Sequence, residues 1–465
     1  MSFEWKQVRL GDFIDSCLGK MLDQKKNKGA FHPYLGNSNV RWGEFDFSNL
    51  AEMKFEDTEH ERYSLKKGDL VVCEGGEPGR CAIWEDEIPN MKIQKALHRI
   101  RTLPGLVAEY LYYWFLLAGK TGFLEPYFTG TTIKHLTGRS LADLTITLPP
   151  VKHQEKCALV LGSLDRKITH NKKINQTLEQ MAQALFKSWF IDFEPVKAKI
   201  AVLEAGGSQA DATLAAMTAI SGKDDDALVV FEREHPEQYA ELKATAELFP
   251  SAMQESELGA IPKGWGVENY RSFCDFVQSG GTPKRSEETY WDDGDIRWLS
   301  SGEVRDKIIF ETKERITAIG LQNSTAKLWP KYSTVMAMYG ATAGKICLLA
   351  NEMSANQACC ALYSRKYSFF IYFSMCNSAS VIASKASGSA QQNLNKGIIE
   401  NAVFCKPTEN LIDIYNKSIN GLILKWISNV KYNENLTQLR DTLLPKLLSG
   451  KITLPEAEQI ISEEA

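Results

Sequence analysis

LGSLDRKITHNKKINQTLEQMAQALFKSWF, residues 161–190, decides the architecture of this 465-residue chain. Leu161, Leu164, Ile168, Asn171, Asn175, Leu178, Ala182, Leu185 and Trp189 follow one another at steps of three and four, which puts them on one stripe of an α-helix. A second seam has the same form: Ile419, Leu422, Trp426, Asn429, Asn433, Leu436, Arg440, Leu443 and Leu447. Each seam carries two asparagines at the same steps. A buried amide costs stability unless it meets another polar group, and that pairing fixes register. The two helices are therefore expected to pack on each other, with Leu164, Ile168, Leu178, Leu185, Leu422, Trp426, Leu436 and Leu443 as the apolar interface. A four-helix-bundle fragment would show the same spacing.

The seams belong to a long repeat. Gly130–Leu136 realigns with Gly388–Leu394, Pro149 with Pro407, Asn171 with Asn429 and Leu185 with Leu443, always 258 residues apart. Upstream the offset drifts: Trp5 matches Trp265, Tyr34-Leu35 matches Trp298-Leu299, Gly79-Arg80 matches Gly344-Lys345, and Gln94 matches Gln357. A period this long means two tandem domains rather than a solenoid. Runs such as Asp69–Cys73 and Val335–Met338 read as strands followed by glycine turns, and 106–118 and 367–386 read as helices, so each domain is mixed α/β.

The expected order is a domain over 1–150, a helix over 151–193, an acidic alanine-rich connector over 194–260, a second domain over 261–407, a helix over 408–450 and an acidic tail over 451–465. The class is α+β, with an internal pseudo-twofold repeat. An antiparallel helix pair would place one domain at each end of a rod of roughly 50–60 Å. Pro149-Pro150 marks the first helix start.

The net charge of −4 conceals an asymmetry. Residues 194–260 carry −8 and residues 455–465 carry −4, which leaves +8 on the remainder. A basic body suits a polyanion, and acidic appendages suit protein contacts. The ten cysteines show no Cys-x-x-Cys spacing and read as reduced thiols of a cytosolic protein. The start, MSFEWKQVRL, lacks the apolar core of a signal peptide. YLYYWFLLA, residues 110–118, is too short for a membrane span and reads as a buried helix.

Glycine-rich loops carry the candidate contacts. Gln278-Ser-Gly-Gly-Thr-Pro-Lys-Arg285 offers Lys284 and Arg285 for phosphates and Gln278 and Thr282 for base edges, with Lys20 after Gly19 as its counterpart. Arg80 and Lys345 each follow a glycine turn, a placement that suits phosphate contact. Lys134 and His135 in one copy stand against Gln391, Gln392 and Asn393 in the other, and amides suit adenine. Arg41 and Gln94 complete the set.

The chemistry of a catalyst is missing. Gly340–Lys345 has too few residues between its glycines for a phosphate loop and lacks the following Ser or Thr. No histidine pair has metal spacing, and neither a nucleophile elbow nor a dinucleotide fingerprint occurs. An adenine methyltransferase needs an Asp/Asn-Pro-Pro-aromatic loop, and the Pro-Pro pair here sits in Leu148-Pro-Pro-Val151. This disfavours a fused nuclease-methylase. An interaction scaffold, whose coil recruits proteins and whose ends bind peptide or glycan, is the other class; steeply salt-dependent duplex binding would separate it from a DNA reader.

Taken together, Gly281-Thr-Pro-Lys284, Trp298-Leu299, Tyr339–Gly344, Asn356-Gln357, Leu148-Pro-Pro150, Ala184–Phe190, Glu257-Leu-Gly259, Ile261–Trp265 and Leu444–Gly450 resemble a type I restriction-modification specificity subunit along nearly the whole chain. The resemblance implies two target-recognition domains, each reading half of a split double-stranded DNA site, joined by two long antiparallel coiled-coil helices that act as spacer. It implies no cofactor in this chain. S-adenosylmethionine would come with two modification subunits that methylate adenine, and ATP and Mg with restriction subunits. Copy one departs from the pattern, with Gly-Lys in place of Gly-Thr-Pro and Glu74-Gly-Gly76 in place of Tyr-Gly, so the two half-sites should differ.

Overall fold

The computed structural model describes residues 5–23, 27–385 and 394–464. It divides into two compact units, one holding the chain up to His170 together with Asn433 onwards, the other holding Asn171–Tyr432.

In the first unit, Leu70–Cys73 is buried at every position, as a strand covered on both faces must be. It lies between Leu97–Thr102 and Cys81–Ile83, and Ile14–Leu18 completes an antiparallel four-stranded sheet. A smaller sheet orders Ala51–Phe55, Ala30–Leu35 and Lys92–Ile93. Lys6–Arg9 pairs with Thr145–Leu148, so the first strand of the domain closes on its last. Helix Ala108–Thr121 buries Tyr110, Leu111, Phe115 and Leu116 and stops at Gly122, whose φ of 73° caps the helix in the left-handed conformation.

The second unit repeats this plan. Phe276–Ser279, Cys359–Tyr363, Thr334–Ala337 and Ile346–Leu349 stand in the same order, with Ile308–Ile309 added at the edge. Glu314–Ile316, Ile296–Leu299 and Ser354–Ala355 form the smaller sheet, and Gly266–Asn269 closes on Val403–Lys406. Leu70 faces Ile100 in one copy as Thr334 faces Leu362 in the other. The tandem repeat is thus a repeat of strand pairing.

The long helices are Val151–Phe190, beginning directly after Pro150, and Glu409–Leu448. Within the first unit Asp165 meets Arg440 at 2.6 Å and the Ile168 carbonyl accepts from Asn433 Nδ2 at 3.4 Å. Within the second, Asn175 Oδ1 accepts from Asn429 Nδ2 at 3.0 Å and the Ala182 carbonyl from the Tyr415 hydroxyl at 3.1 Å. As one number rises the other falls, so the pair is antiparallel. Asn171, Asn175 and Asn429 are buried, and the amide pairing expected from the seams is present. The stripe widens in the second unit: Leu178, Leu185 and Leu422 are half-buried, while Phe186, Phe190 and Ile423 go fully inside. The cause is an aromatic cluster in which Phe186 and Phe190 lie 5.4 Å from Phe370 and 5.6 and 5.2 Å from Tyr415, covering more of the helix than a two-position seam.

Between the copies run four helices, Glu194–Glu204, Gln209–Ser221, Asp225–Glu234 and Pro236–Leu248, around a small core of Ala216, Met217, Leu228 and Ala246. Buried Lys199 donates to the Ala246 and Phe249 carbonyls at 2.9 and 2.7 Å, and so satisfies the last carbonyls of the fourth helix. A final acidic helix spans Leu454–Glu464. All ten cysteines are free, most of them buried. No helix among the described residues is long and apolar enough to cross a membrane.

Candidate nucleic-acid interface

In the first domain two backbone bonds gather three loops. Glu74 N–H donates to the Ala96 carbonyl at 2.8 Å, and Leu136 N–H to the Glu74 carbonyl at 2.7 Å. The turn 74–80, the hairpin end 94–96 and the loop 129–136 therefore meet, bringing Arg80, Gln94, Lys134 and His135 into one region. A side chain on Gly75 would start 3.1 Å from His135 Nδ1, and one on Gly76, at φ +74°, 2.5 Å from Asn37 Nδ2. At Gly76 the left-handed backbone favours glycine, and at Gly75 the His135 ring leaves little room for a side chain. Lys134 is exposed, its ammonium 5.8 Å from the Phe128 ring. Arg41 is exposed but pairs with Asp46 at 3.2 Å, and the Ser48 hydroxyl and backbone hold the Asp46 carboxyl below the usual range.

Two expectations need correction here. Lys20 is 3% exposed; its ammonium bonds Glu59 Oε2 at 2.5 Å and the Lys54 carbonyl at 2.9 Å, and lies 5.0 Å from the Phe55 ring. Burial works against the Glu59 charge, yet Lys20 and the Glu56 N–H keep its carboxyl low. Lys20 is an internal fastening and does not face a phosphate. Arg80 has the turn position expected, but its side chain is mostly buried and donates to Glu77 at 2.9 Å and the Asn37 carbonyl at 3.0 Å. Its charge is spent on holding loops together.

In the second domain Arg285 lies 3.8 Å above the Trp291 ring and 4.8 Å from that of Trp298, and both its terminal nitrogens donate to Glu314, one at 3.0 Å. The pairing raises the arginine's pKa and lowers that of Glu314. Lys284 pairs with Glu287 at 2.9 Å. Gln278 is half-buried on a strand opposite Ala361. The Thr282 hydroxyl donates to Gln357 Oε1. Lys345 is exposed, and no partner for its ammonium is found among the described residues. Gln391, Gln392 and Asn393 lie outside the described residues.

The backbone also corrects the register of the repeat by one residue. Gly19 and Lys20 N–H donate to the Leu97 and Ile93 carbonyls as Gly280 and Gly281 N–H donate to those of Cys359 and Ala355. Gln94 N–H bonds the Leu35 carbonyl as Asn356 N–H bonds that of Leu299, and Glu74 bonds Ala96 as Met338 bonds Ala358. Gln94 thus corresponds to Asn356, not Gln357, and Lys20 to Gly281, not Thr282. A side chain at Gly281 would collide with Thr325 at 2.4 Å, and its carbonyl accepts from Trp298 Nε1 at 3.0 Å. Residue identity alone could not place this shift, because the offset moves from 264 at Glu74 and Met338 to 262 at Gln94 and Asn356.

Among the described residues no cluster of histidine, cysteine or carboxylate side chains could hold a metal ion. Of the expected cations, Lys134 in one region and Lys345 in the other are exposed with no acidic partner among the described residues, a chemistry suited to acceptors on a nucleic acid.

The comparisons agree with this geometry. Residues 3–180 and 262–408 match the family described as type I restriction modification DNA specificity domain. The chain is 28% identical to the type I restriction enzyme HindI specificity subunit of Haemophilus influenzae, covering 97% of this chain and all of that one. It is 23% identical to the MjaIX specificity subunit of Methanocaldococcus jannaschii, covering 97% and 94%. The crystal structure of the type I restriction-modification S subunit from M. genitalium shares the fold at a TM-score of 0.51 and 14% identity, covering 96% of each chain. With matches over both copies of the repeat, this chain belongs to the type I restriction-modification DNA specificity family.

Proposed function

We propose that each recognition domain reads one half of a two-part duplex target and that the antiparallel helices set the gap between the halves. Modification subunits dock on the chain and bring S-adenosylmethionine for adenine methylation; restriction subunits bring ATP and Mg. The chain itself transfers nothing. One observation carries the reading: the same backbone bonds hold the same loops in both domains, while the side chains on them differ. A shared frame with divergent tips is what two readers of unlike half-sites require. Lys134 and Lys345 are exposed cations suited to phosphates.

Mapping of methylated adenines in cells with and without the gene tests it. Loss of one two-part motif on deletion is expected, and an unchanged methylation pattern would overturn the reading. Purified chain given S-adenosylmethionine and duplex should transfer no methyl group unless modification subunits are added.

A further inference from the structure

The corrected register brings together two residues that sequence alignment keeps apart. Lys95 stands between Gln94 and Ala96, and Gln357 between Asn356 and Ala358, whose backbone bonds match pair by pair. Lys95 and Gln357 are therefore the same position in the two domains, and both are exposed. Each sits at the end of the hairpin that touches the glycine turn, since Ala96 accepts from Glu74 and Ala358 from Met338. In the first domain the preceding loop has Met21, half exposed, at the step where the second has Thr282.

The chemistry of the two side chains converges despite their different identity. Lysine has three donors and no acceptor. Glutamine ordinarily has both, but the Gln357 oxygen accepts from the Thr282 hydroxyl, while its amide nitrogen has no hydrogen-bond partner among the described residues. Reading adenine takes a donor and an acceptor side by side; lysine has no acceptor, and the Gln357 oxygen is already engaged by Thr282. A position that offers donors in both domains, amid loops that otherwise diverge, suits the acceptor that every duplex repeats whatever its sequence, the phosphate oxygen. Resting on the DNA-reading function proposed above, we infer that Lys95 and Gln357 are equivalent phosphate anchors, one in each recognition domain, that seat the duplex without selecting its sequence.

The test uses the full chain complexed with its modification subunits and two synthetic duplexes, one carrying the mapped motif and one with both half-sites scrambled. Q357A should raise Kd about three- to tenfold and K95A about tenfold, by the same factor on both duplexes. K95A should also lower the slope of log Kd against log salt by about one, whereas Q357A should not. Exchange variants guard against a folding defect: Q357K should bind at least as tightly as wild type and steepen the salt slope by about one, and K95Q should retain part of the affinity. An effect confined to the motif duplex, or a methylated motif relaxed at one base, would make the position a base reader and overturn the inference, as would unchanged affinity in K95A and Q357A. If the wild-type complex binds neither duplex, the function itself fails.

Discussion

Asp165 on the first long helix accepts from Arg440 on the second at 2.6 Å, and its other oxygen accepts from the Tyr113 hydroxyl at 2.7 Å. Arg440 continues to Asp441 at 2.9 Å, which also takes Lys120. Burial opposes the charge of Arg440, yet Asp165 and Asp441 hold its guanidinium protonated more firmly than usual. The helix Ala108–Thr121 of the first domain is thereby tied to both long helices. The repeat puts Ile423 and Ala182 where this network has Asp165 and Arg440, and in the second unit aromatic packing does the fastening.

Removing Asp165 leaves the mostly buried Arg440 with Asp441 alone and the Tyr113 hydroxyl without its acceptor, and losing one partner of a buried charge costs more than the pair contributes. Asp165→Ala should destabilise the first unit by about 2 kcal/mol, less than for a fully buried pair because solvent reaches part of it. Its melting transition should fall by roughly 4–8 °C. Adding Arg440→Met should recover most of that loss. A double variant melting below Asp165→Ala would show that the arginine acts through something other than its charge.

His98 supplies a pH dependence. It is 1% exposed, its ring bonds the Leu136 carbonyl at 2.9 Å, and burial lowers its pKa below the ordinary 6.5. The unfolded chain then binds the proton more readily, so stability is full above about pH 6.5 and is lost as pH falls through the depressed folded value. His32 shifts the same way, chiefly by burial. Melting scans from pH 7.5 down to 5.5 should show the first unit weakening, and His98→Gln should flatten the trend, leaving a residue from His32. An unaltered slope in His98→Gln would remove the histidine from the explanation.

Exchanging residues 15–125 for those of a relative should change one half of the methylated motif and spare the other, because the loops of each domain are held by bonds within that domain. Methylome mapping reads the result directly. Two altered halves would contradict independent readers.

The asparagine positions offer a place to lengthen the spacer. A matched four-residue insertion in both helices, between Asn171 and Asn175 and between Asn429 and Asn433, adds about 6 Å and rotates one end by about 40°. The gap between half-sites should widen by roughly one or two base pairs. An insertion in one helix should instead break the pairing of Asn175 with Asn429 and lower stability. Unchanged spacing in the paired insertion would mean that the helices do not set the distance.

The helical seams were readable because steps of three and four survive any divergence of the exposed faces. The acidic, alanine-rich composition marked the connector over 194–260, and helices Gln209–Ser221 and Pro236–Leu248 lie within it. The fates of Lys20 and Arg285 were not readable, since Glu59 and Glu314 lie far along the chain from them and meet them only in the folded domain. A cation beside a glycine looks the same in a sequence whether it faces solvent or a carboxylate. Gln357 was noticed as part of a motif, but only backbone bonding identifies Lys95 as its counterpart.

The division of the chain has a consequence for its synthesis. The first unit joins the residues up to His170 to Asn433 and beyond, so the ribosome makes the opening segment long before the segment that completes it. At ordinary elongation rates the delay is on the order of tens of seconds. During that time Leu161 and Leu164 have no partner from the second long helix, whereas the second unit is finished within one uninterrupted stretch. Nascent chains that have emerged from the ribosome only as far as residue 432 would carry a complete second unit and an uncovered apolar stripe on the first helix, the form most prone to bind chaperones or to aggregate.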